Sequence, residues 1–207
     1  MHAVPAFKEA RHHLVFENEW VRVMDVRVPA GDTTDYHLHA DRHVGVIIAT
    51  TRTWEQRLGK AKSAPEDTDH VGDIFDNANE SLPYTHRVGN VGDKPFHYIV
   101  GQILRRSGAS DAVLPEGSGM HLEREIMGAH IYRVKLKAGQ ATPEHRHVRP
   151  GLTVQVNDGT LQWEGSAPEG ASKESGAGAW WWRSADATHV LRNTGSAPVE
   201  IVELDWP

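Results

Sequence analysis

Residues 29–43 read PAGDTTDYHLHADRH, and this stretch decides the fold because the chain repeats it. Residues 137–151 read KAGQATPEHRHVRPG, which places the same Gly-x5-His-x-His pattern 108 positions further on. The identical residues that coincide at this offset are Val26/Val134, Ala30/Ala138, Gly31/Gly139, Thr34/Thr142, His37/His145 and His39/His147. Recurrence in the same order indicates an internal duplication.

A second block repeats at an offset of 103, so the second copy is five residues shorter between the two blocks. The coinciding residues are His86/His189, Asn90/Asn193, Gly92/Gly195 and Pro95/Pro198. Length differences between copies fall in surface loops, and residues 59–72 and 165–178 are the candidates. Residues 107–119, SGASDAVLPEGSG, are polar and Gly/Ser-rich, which predicts a linker. The predicted organisation is an N-terminal domain at 1–106, this linker, and a C-terminal domain at 120–207.

Apolar residues alternate along the chain instead of recurring every three or four positions. Residues 20–28 read WVRVMDVRV and residues 131–137 read IYRVKLK, both close to a period of two. Turn-forming Gly and Asn residues separate the β-rich runs, as in the Asn90-Val-Gly92 segment. Many short strands at this spacing predict an all-β sandwich or barrel.

Histidines are the candidate metal ligands of each copy. Residues i and i+2 of a strand point to the same face, so a His-x-His pair aims two imidazoles at one point. The predicted ligands are His37, His39, His43 and His86 in the first copy, and His145, His147 and His189 in the second. Three neutral imidazoles with open coordination positions suit Fe, Mn, Ni, Cu or Zn. The other histidines (residues 2, 12, 13, 70, 97, 121 and 130) are interpreted as solvent-facing or incidental.

These motifs resemble the two conserved motifs of the cupin superfamily. Gly31-x5-His37-x-His39-x3-His43 with His86-x3-Asn90 is similar to one set, and the second copy supplies another. The resemblance extends from about residue 17 to residue 203. It implies two tandem jelly-roll cupin β-barrels, each with a divalent metal ion held inside by three histidines and often one glutamate.

The sequence departs from the cupin pattern at that glutamate. His43 takes its place in the first copy and Gly151 in the second. The first copy is therefore either a four-histidine site or a three-histidine site with His43 set back. The second is either a three-histidine site with extra water ligands or a site too weak to fill.

The composition excludes several partners and kinds of site. The chain has 207 residues, a formal net charge of −6 and no Lys/Arg-rich run, which disfavours nucleic acid as a partner. It has no cysteine, so disulfides and thiolate metal sites are excluded. The longest apolar stretch, residues 44–49, is too short to span a bilayer, and the first 20 residues do not resemble a signal peptide. We expect a cytoplasmic location and no membrane association.

Two functional hypotheses follow from the resemblance. The first is a metal-dependent enzyme, of oxygenase or isomerase type, that acts on a small organic molecule. The second is a non-catalytic protein or sensor that binds a small ligand, with the metal structural or absent. Cupin barrels support many unrelated activities, so the fold alone does not choose between them. Exposed edge strands allow two arrangements: a homodimer paired through them, or tandem copies that cover each other's edges within one chain.

Overall fold

The computed structural model describes residues 3–67, 69–108, 113–114, 116–117 and 119–207. The chain divides into two compact units, Met1–Arg105 and Arg106–Pro207. Almost all of the regular structure is β-strand, which confirms the predicted all-β, jelly-roll fold class. Within the described ranges, no helix has both the length and the apolar character needed to cross a membrane.

The first unit consists of two sheets. Its strands are β1 (Val4–Pro5), β2 (His12–Glu17), β3 (Val21–Val28), β4 (His37–His39), β5 (His43–Ala49), β6 (Thr53–Arg57), β7 (Ile74–Asp76), β8 (Tyr84–Asn90) and β9 (Phe96–Ile103), with a 3-10 helix at Ala6–Lys8. The strand orders are β2-β3-β9-β5-β7 and β1-β4-β8-β6. Every pairing is antiparallel except β1 with β4. Met24, Ile47 and Val100 of the five-stranded sheet belong to the hydrophobic core.

The second unit repeats this arrangement. Its strands are β10 (Met120–Ile126), β11 (Ala129–Leu136), β12 (His145–Arg146), β13 (Gly151–Gln155), β14 (Leu161–Gly165), β15 (Gly170–Ala171), β16 (Trp180–Arg183), β17 (Thr188–Asn193) and β18 (Val199–Asp205). The orders are β10-β11-β18-β13-β16-β15 and β12-β17-β14. Side chains from both sheets form the core, including Val134 and Ile201 from one and Leu191 from the other.

Strand register relates the two units residue by residue. Val26 pairs with Tyr98, and Val134 pairs with Ile201. Val134 is the equivalent of Val26 at the offset of 108, and Ile201 is the equivalent of Tyr98 at the offset of 103, so equivalent residues pair in both units. The repeated Asn-x-Gly is a turn device: the Asn90 side chain donates to the backbone oxygens of Val28 and Lys94 and accepts from the Gly92 N–H at 3.0 Å. Asn193 makes the corresponding three bonds. The Asn of the His-x3-Asn motif therefore stabilises the fold.

The five-residue shortening is spread over two connections. Ile74 pairs with Val46, and Trp180 pairs with Val154. Because Val46 and Val154 are equivalent, Trp180 is the equivalent of Ile74, at an offset of 106 residues. Two of the five residues are therefore lost in the predicted loops, and three are lost between β7 and β8. The strand register, which the sequence does not show, therefore corrects the expectation that one loop accounts for all five residues.

The predicted linker lies only partly within the described residues. Positions 109–112, 115 and 118 lie outside them. Leu114 is buried in the core of the second unit, and its N–H donates to the Tyr132 hydroxyl at 3.1 Å. The domain boundaries at residues 106, 107–119 and 120 stay predictions.

Candidate metal centres

The structure brings the three predicted histidines of the second unit together with one carboxylate. His145 lies on β12, His189 on the adjacent β17, and Glu203 on β18 of the other sheet, while His147 follows β12. The donor atoms of all four residues lie within 4.8 Å of one another. Glu203 Oε2 is 3.2 Å from His145 Nε2, and Glu203 Oε1 is 3.0 Å from His189 Nε2 and 3.7 Å from His147 Nε2. We call this group the second site.

Neighbouring groups fix the rings of the second site. His145 donates from Nδ1 to the Pro143 carbonyl oxygen at 2.9 Å, and His147 Nδ1 lies 2.6 Å from Asp205 Oδ1. In His145 this leaves the Nε2 lone pair facing Glu203, which is the tautomer a metal ligand requires, whereas His147 Nδ1 also lies 2.6 Å from the donor Arg183 Nη2. Thr153 donates its hydroxyl to Glu203 Oε1 at 3.0 Å. The buried His147 Nε2 has no hydrogen-bond partner, so the donor set fits a cation.

Glu203 is a ligand candidate that sequence reasoning missed. At the repeat offset of 103 it coincides with Val100, so the comparison of copies gave no signal. A signal did exist in the strand itself, because Val199–Asp205 carries three acids, Glu200, Glu203 and Asp205, among four apolar residues. The second site therefore has a carboxylate, but not at the expected position.

Gly151 has a different role from the one the cupin pattern suggested. A Cβ at this position would lie 1.6 Å from Arg183 Nη1, so glycine makes room for the guanidinium. Arg183 donates to the Leu204 carbonyl oxygen at 3.2 Å and forms an ion pair with Asp205, and both side chains are almost completely buried. The Arg183–Asp205 pair thus stands directly behind His147.

The second site is enclosed. The side chains of its four residues are 0% exposed, and the Trp163 ring stacks 4.0 Å from the His189 ring. Burial lowers the pKa of His147 to about 4 and also lowers the pKa of His189. Burial acts the other way on Glu203, but its histidine neighbours outweigh it and hold the pKa of this carboxyl well below its usual value. For His145, Glu203 outweighs burial and raises the pKa.

In the first unit the structure brings together three of the four predicted ligands. His37 and His39 lie on β4 and His86 on the adjacent β8, with their donor atoms within 4.8 Å of one another. His39 Nε2 and His86 Nε2 are 3.0 Å apart. His37 donates from Nδ1 to the Asp35 carbonyl oxygen at 2.9 Å, and His86 Nδ1 is 3.0 Å from Glu55 Oε1. Two ring nitrogens facing each other this closely fit a shared cation, and we call this group the first site.

His43 stands beside the first site and outside this donor group. It begins β5, its ring lies 4.8 Å from the His39 ring, and its N–H donates to the Asn77 side-chain oxygen at 2.9 Å. That His43 binds the metal ion as a fourth ligand remains a prediction.

His12 was interpreted as solvent-facing or incidental, and its buried position corrects this. Its ring lies edge-on to His37 at 4.5 Å, and its side chain is 3% exposed. It donates from Nδ1 to the Ala6 carbonyl oxygen at 2.8 Å, while its Nε2 has no partner. His97 and His130 are also buried, whereas His13 and His70 are exposed as expected.

A cavity of about 230 Å³ opens beside the first site. Its wall includes the site histidines His39 and His86 together with His43 and His12. Apolar and aromatic side chains form much of the rest, namely Met24, Ile47, Phe75, Phe96, Tyr98 and Val100. The first site is therefore accessible to a small molecule.

Burial keeps His37 and His39 of the first site neutral. It lowers the pKa of His37 to about 2, of His43 to about 3 and of His12 to about 4, and it also lowers the pKa of His39. The surrounding histidines add to the effect, since a charge on one disfavours a charge on the next. Neutral imidazoles are the form that binds a divalent metal ion.

Comparison with solved structures identifies the fold. The chain is similar to AerE from Microcystis aeruginosa, with 13% identity over 93% of this chain and 90% of that one, at a TM-score of 0.66. It is also similar to salicylate 1,2-dioxygenase from Pseudaminobacter salicylatoxidans, with 11% identity over 89% and 71% of the two chains and a TM-score of 0.59. It is similar as well to oxalate decarboxylase from Lactobacillus farciminis, with 11% identity over 90% of this chain and 77% of that one, at a TM-score of 0.61. The chain has a cupin fold.

These identities establish the cupin fold and nothing finer. No protein-family model matches the sequence, and no curated protein matches it. Both histidine groups of the chain offer nitrogen donors suited to a divalent metal ion, and the second adds the carboxylate oxygens of Glu203.

Proposed function

We propose that the protein is a metal-dependent enzyme, of oxygenase or isomerase type, that acts on a small organic molecule at the first site. The observation that carries the proposal is the 230 Å³ cavity beside His39 and His86, because a catalytic metal needs open coordination positions. The similar folds of a salicylate 1,2-dioxygenase and an oxalate decarboxylase are compatible with this chemistry.

Two candidate ligands of the first site, His37 and His86, have a polar neighbour at Nδ1. His37, His39 and His86 would hold Fe, Mn, Ni, Cu or Zn through ring nitrogens, with His43 as a candidate fourth ligand. A bound metal ion would polarise substrate oxygens as a Lewis acid. The Asp35 carbonyl oxygen orients His37 by accepting from its Nδ1, and the Glu55 carboxylate lies 3.0 Å from His86 Nδ1.

The second site favours a different role for its metal. Its four candidate ligands, three histidines and Glu203, have fully buried side chains, and the Trp163 ring stacks on His189. A closed shell of this kind is typical of a structural metal. We therefore assign catalysis to the first unit and structural support to the second.

The test combines metal content with turnover. Mass spectrometry of the untagged protein measures metal per chain in wild type, His37→Ala and His145→Ala, with the exposed His13→Ala as control. Oxygen uptake and product analysis with a panel of small phenols, amines and acids measure turnover. We expect His37→Ala to lose one metal equivalent and all turnover, and His145→Ala to lose the other equivalent only.

Three results would contradict the proposal. Turnover that survives His37→Ala but not His145→Ala would place catalysis in the second unit. Metal binding and ligand binding without turnover would identify a non-catalytic binding protein or sensor. A failure to bind Fe, Mn, Ni, Cu or Zn at either site would remove the metal-dependent chemistry altogether.

A homodimer paired through an edge strand and a cytoplasmic location also remain predictions. Sedimentation of the purified chain tests the dimer. A fluorescent fusion imaged in the source cell tests the location.

A further inference from the structure

One hydroxyl group in the wall of the first cavity has no hydrogen-bond partner among the described residues. Tyr98 on β9 pairs with Val26 of β3 and Ile47 of β5, and directly paired residues of a sheet point to the same face. Both partners are buried in the core, so the tyrosine side chain also points inward, where it lines the cavity. Its hydroxyl is not one of the buried unpartnered atoms and therefore opens onto the cavity.

Other polar side chains of the wall already have partners. The Tyr84 hydroxyl is hydrogen-bonded to the side chain of Asn77. Arg57 lies 2.6 Å and 2.7 Å from two carboxylates that also line the cavity, and its guanidinium stacks 3.9 Å from the Tyr84 ring. Tyr98 differs from both, because none of its hydrogen-bonding capacity is used within the described part of the chain.

Tyr98 lies one aromatic ring away from the histidines of the first site. On one side its ring is 6.5 Å from His12, whose ring is 4.5 Å from His37. On the other side its ring is 5.1 Å from Phe75, whose ring is 6.0 Å from His43. A ligand held at the metal can therefore reach the Tyr98 hydroxyl with a body about one ring long.

Size and apolar lining limit the ligand in the same way. The volume of about 230 Å³ lies below the ~300–1,000 Å³ usual for drug-sized ligands. Met24, Phe75 and Phe96 offer apolar surface to the body of a ligand. Gly45 makes room for one of these rings, since a Cβ there would lie 2.3 Å from Phe75. A molecule of about one ring fits this space.

The charges around Tyr98 decide which acceptor its hydroxyl suits. Burial raises the pKa of Tyr98 above its ordinary value, and the carboxylates of Glu9 and Asp69 raise it further. The hydroxyl therefore stays protonated and available as a donor. The same negative charges oppose an anionic acceptor at this point, so a neutral oxygen is favoured over a carboxylate. A carbonyl oxygen accepts and brings no further donor that would need a partner.

We infer that Tyr98 is a specificity-determining residue of the first site, and that its hydroxyl donates a hydrogen bond to the neutral carbonyl oxygen of a one-ring substrate. The inference rests on the proposed function, because it names the substrate class of the first site. Ketones, aldehydes and amides belong to this class, and carboxylates do not.

Three probes of similar shape test the inference by calorimetry on the zinc-loaded full chain without oxygen. They are 4-hydroxyacetophenone, 4-isopropenylphenol and 4-hydroxybenzoate, which carry a ketone, an alkene in its place and a carboxylate. We expect the ketone to bind about fivefold more tightly than either analogue. Tyr98→Phe keeps the ring and removes the hydroxyl, so it should reduce the ketone-to-alkene ratio to below about twofold without weakening the alkene. Tyr132→Phe makes the same change in the second unit and should leave the ratio unchanged.

The carbonyl stretch of the bound ketone gives a readout that a merely structural role of Tyr98 would not move. Infrared spectroscopy should find it at a lower frequency in the wild type than in Tyr98→Phe, because a hydrogen bond to the oxygen weakens the C=O bond. Circular dichroism of each variant establishes that it is folded.

Equal binding of the ketone and the alkene by the wild type would overturn the inference, as would tighter binding of the carboxylate or no binding of any probe. A ketone preference or a low carbonyl frequency that survives Tyr98→Phe would overturn it too. The proposed function fails separately. Ketone-selective binding with no turnover of any compound leaves the inference standing and removes the enzyme. Turnover of compounds that lack a carbonyl group, with no ketone preference, does the reverse.

Discussion

The two sites share their histidines and differ in the strands behind them. In the first unit Gly45 pairs with Val100, and in the second Thr153 pairs with Glu203 at the equivalent position. Glycine and valine leave an open cavity that the Phe75 ring partly fills. Threonine and glutamate instead place a hydrogen-bonded carboxylate among three imidazoles. One cross-strand pair thus separates an accessible site from an enclosed one.

The next pair along the same strands differs in charge. His43 pairs with Gln102 in the first unit, where Asn77 supports it, and these three side chains include no fixed charge. Gly151 pairs with Asp205 in the second, where Arg183 takes the place of Asn77. The two units thus share the strands that carry the histidines and differ in the strands that support them.

Removing Arg183 is the most disruptive way to test this difference. Arg183→Met leaves Asp205 buried without its cation, and breaking a buried pair costs about 3–5 kcal/mol. Urea unfolding of the metal-free protein measures the loss. The control is Arg146→Ala, which removes an exposed ion pair with Asp186 and should cost less than about 1 kcal/mol. Equal losses from the two variants would show that the buried pair is not a distinctive support.

Substitutions in the equivalent cross-strand pairs Gly45–Val100 and Thr153–Glu203 test the ligand assignment. Glu203→Gln should weaken metal binding at the second site about 100-fold and leave the first site unchanged, because a ligating charge is lost from one unit only. Val100→Glu should slow chelator removal of metal from the first site about tenfold and block ligand entry. Competition with a fluorescent chelator measures both. Metal affinity unaffected by Glu203→Gln would show that the carboxylate is not a ligand.

Acid should destabilise the metal-free first unit more than the second. A histidine with a lowered folded pKa binds its proton only on unfolding, so its stability contribution is present above pH 6.5 and is lost as the pH falls. Four histidines of the first unit have lowered values. The second unit has two, offset by His145, whose raised pKa favours folding below pH 6.5.

Each histidine with a lowered pKa costs about 1.4 kcal/mol between pH 7.5 and 5.5, so we expect the first unit to lose about 3 kcal/mol more than the second. Hydrogen exchange of β3 and β9 against β11 and β18 in the chelator-treated full chain measures this. The same exchange after metal loading provides the control, because bound metal competes with the protons. A larger loss in the second unit would reverse the comparison.

The smallest expected effect concerns Thr153. Thr153→Val removes the hydroxyl that donates to Glu203 and keeps the side-chain shape, so metal affinity at the second site should fall about tenfold. Thr142→Val serves as a control in the same unit, since that hydroxyl accepts from the Leu191 N–H and does not contact the site. The same chelator competition measures both variants. A fall as large for Thr142→Val would indicate a general loss of stability.

The fold and six site histidines were predictable because duplication doubles the signal: each His-x-His and each later histidine occurs twice at a fixed offset. Glu203 was missed because its equivalent is Val100, and His12 because the strand register makes it the equivalent of Met120 in the second unit. Residues that differ between copies give no repeat signal, and they are the ones that distinguish the sites. The cavity depends on packing around Gly45 and Phe75, which residue spacing does not encode.

Because Gly45 contacts Phe75, the substitutions that would convert the first site into the second have to occur in a particular order. A side chain larger than hydrogen at position 45 collides with the ring, so Gly45→Thr is harmful until residue 75 has changed or moved. Val100→Glu introduced alone would lack the hydroxyl that steadies Glu203 in the other unit. The substitutions that convert one site into the other are therefore epistatic, and a viable path between them must move the aromatic ring first.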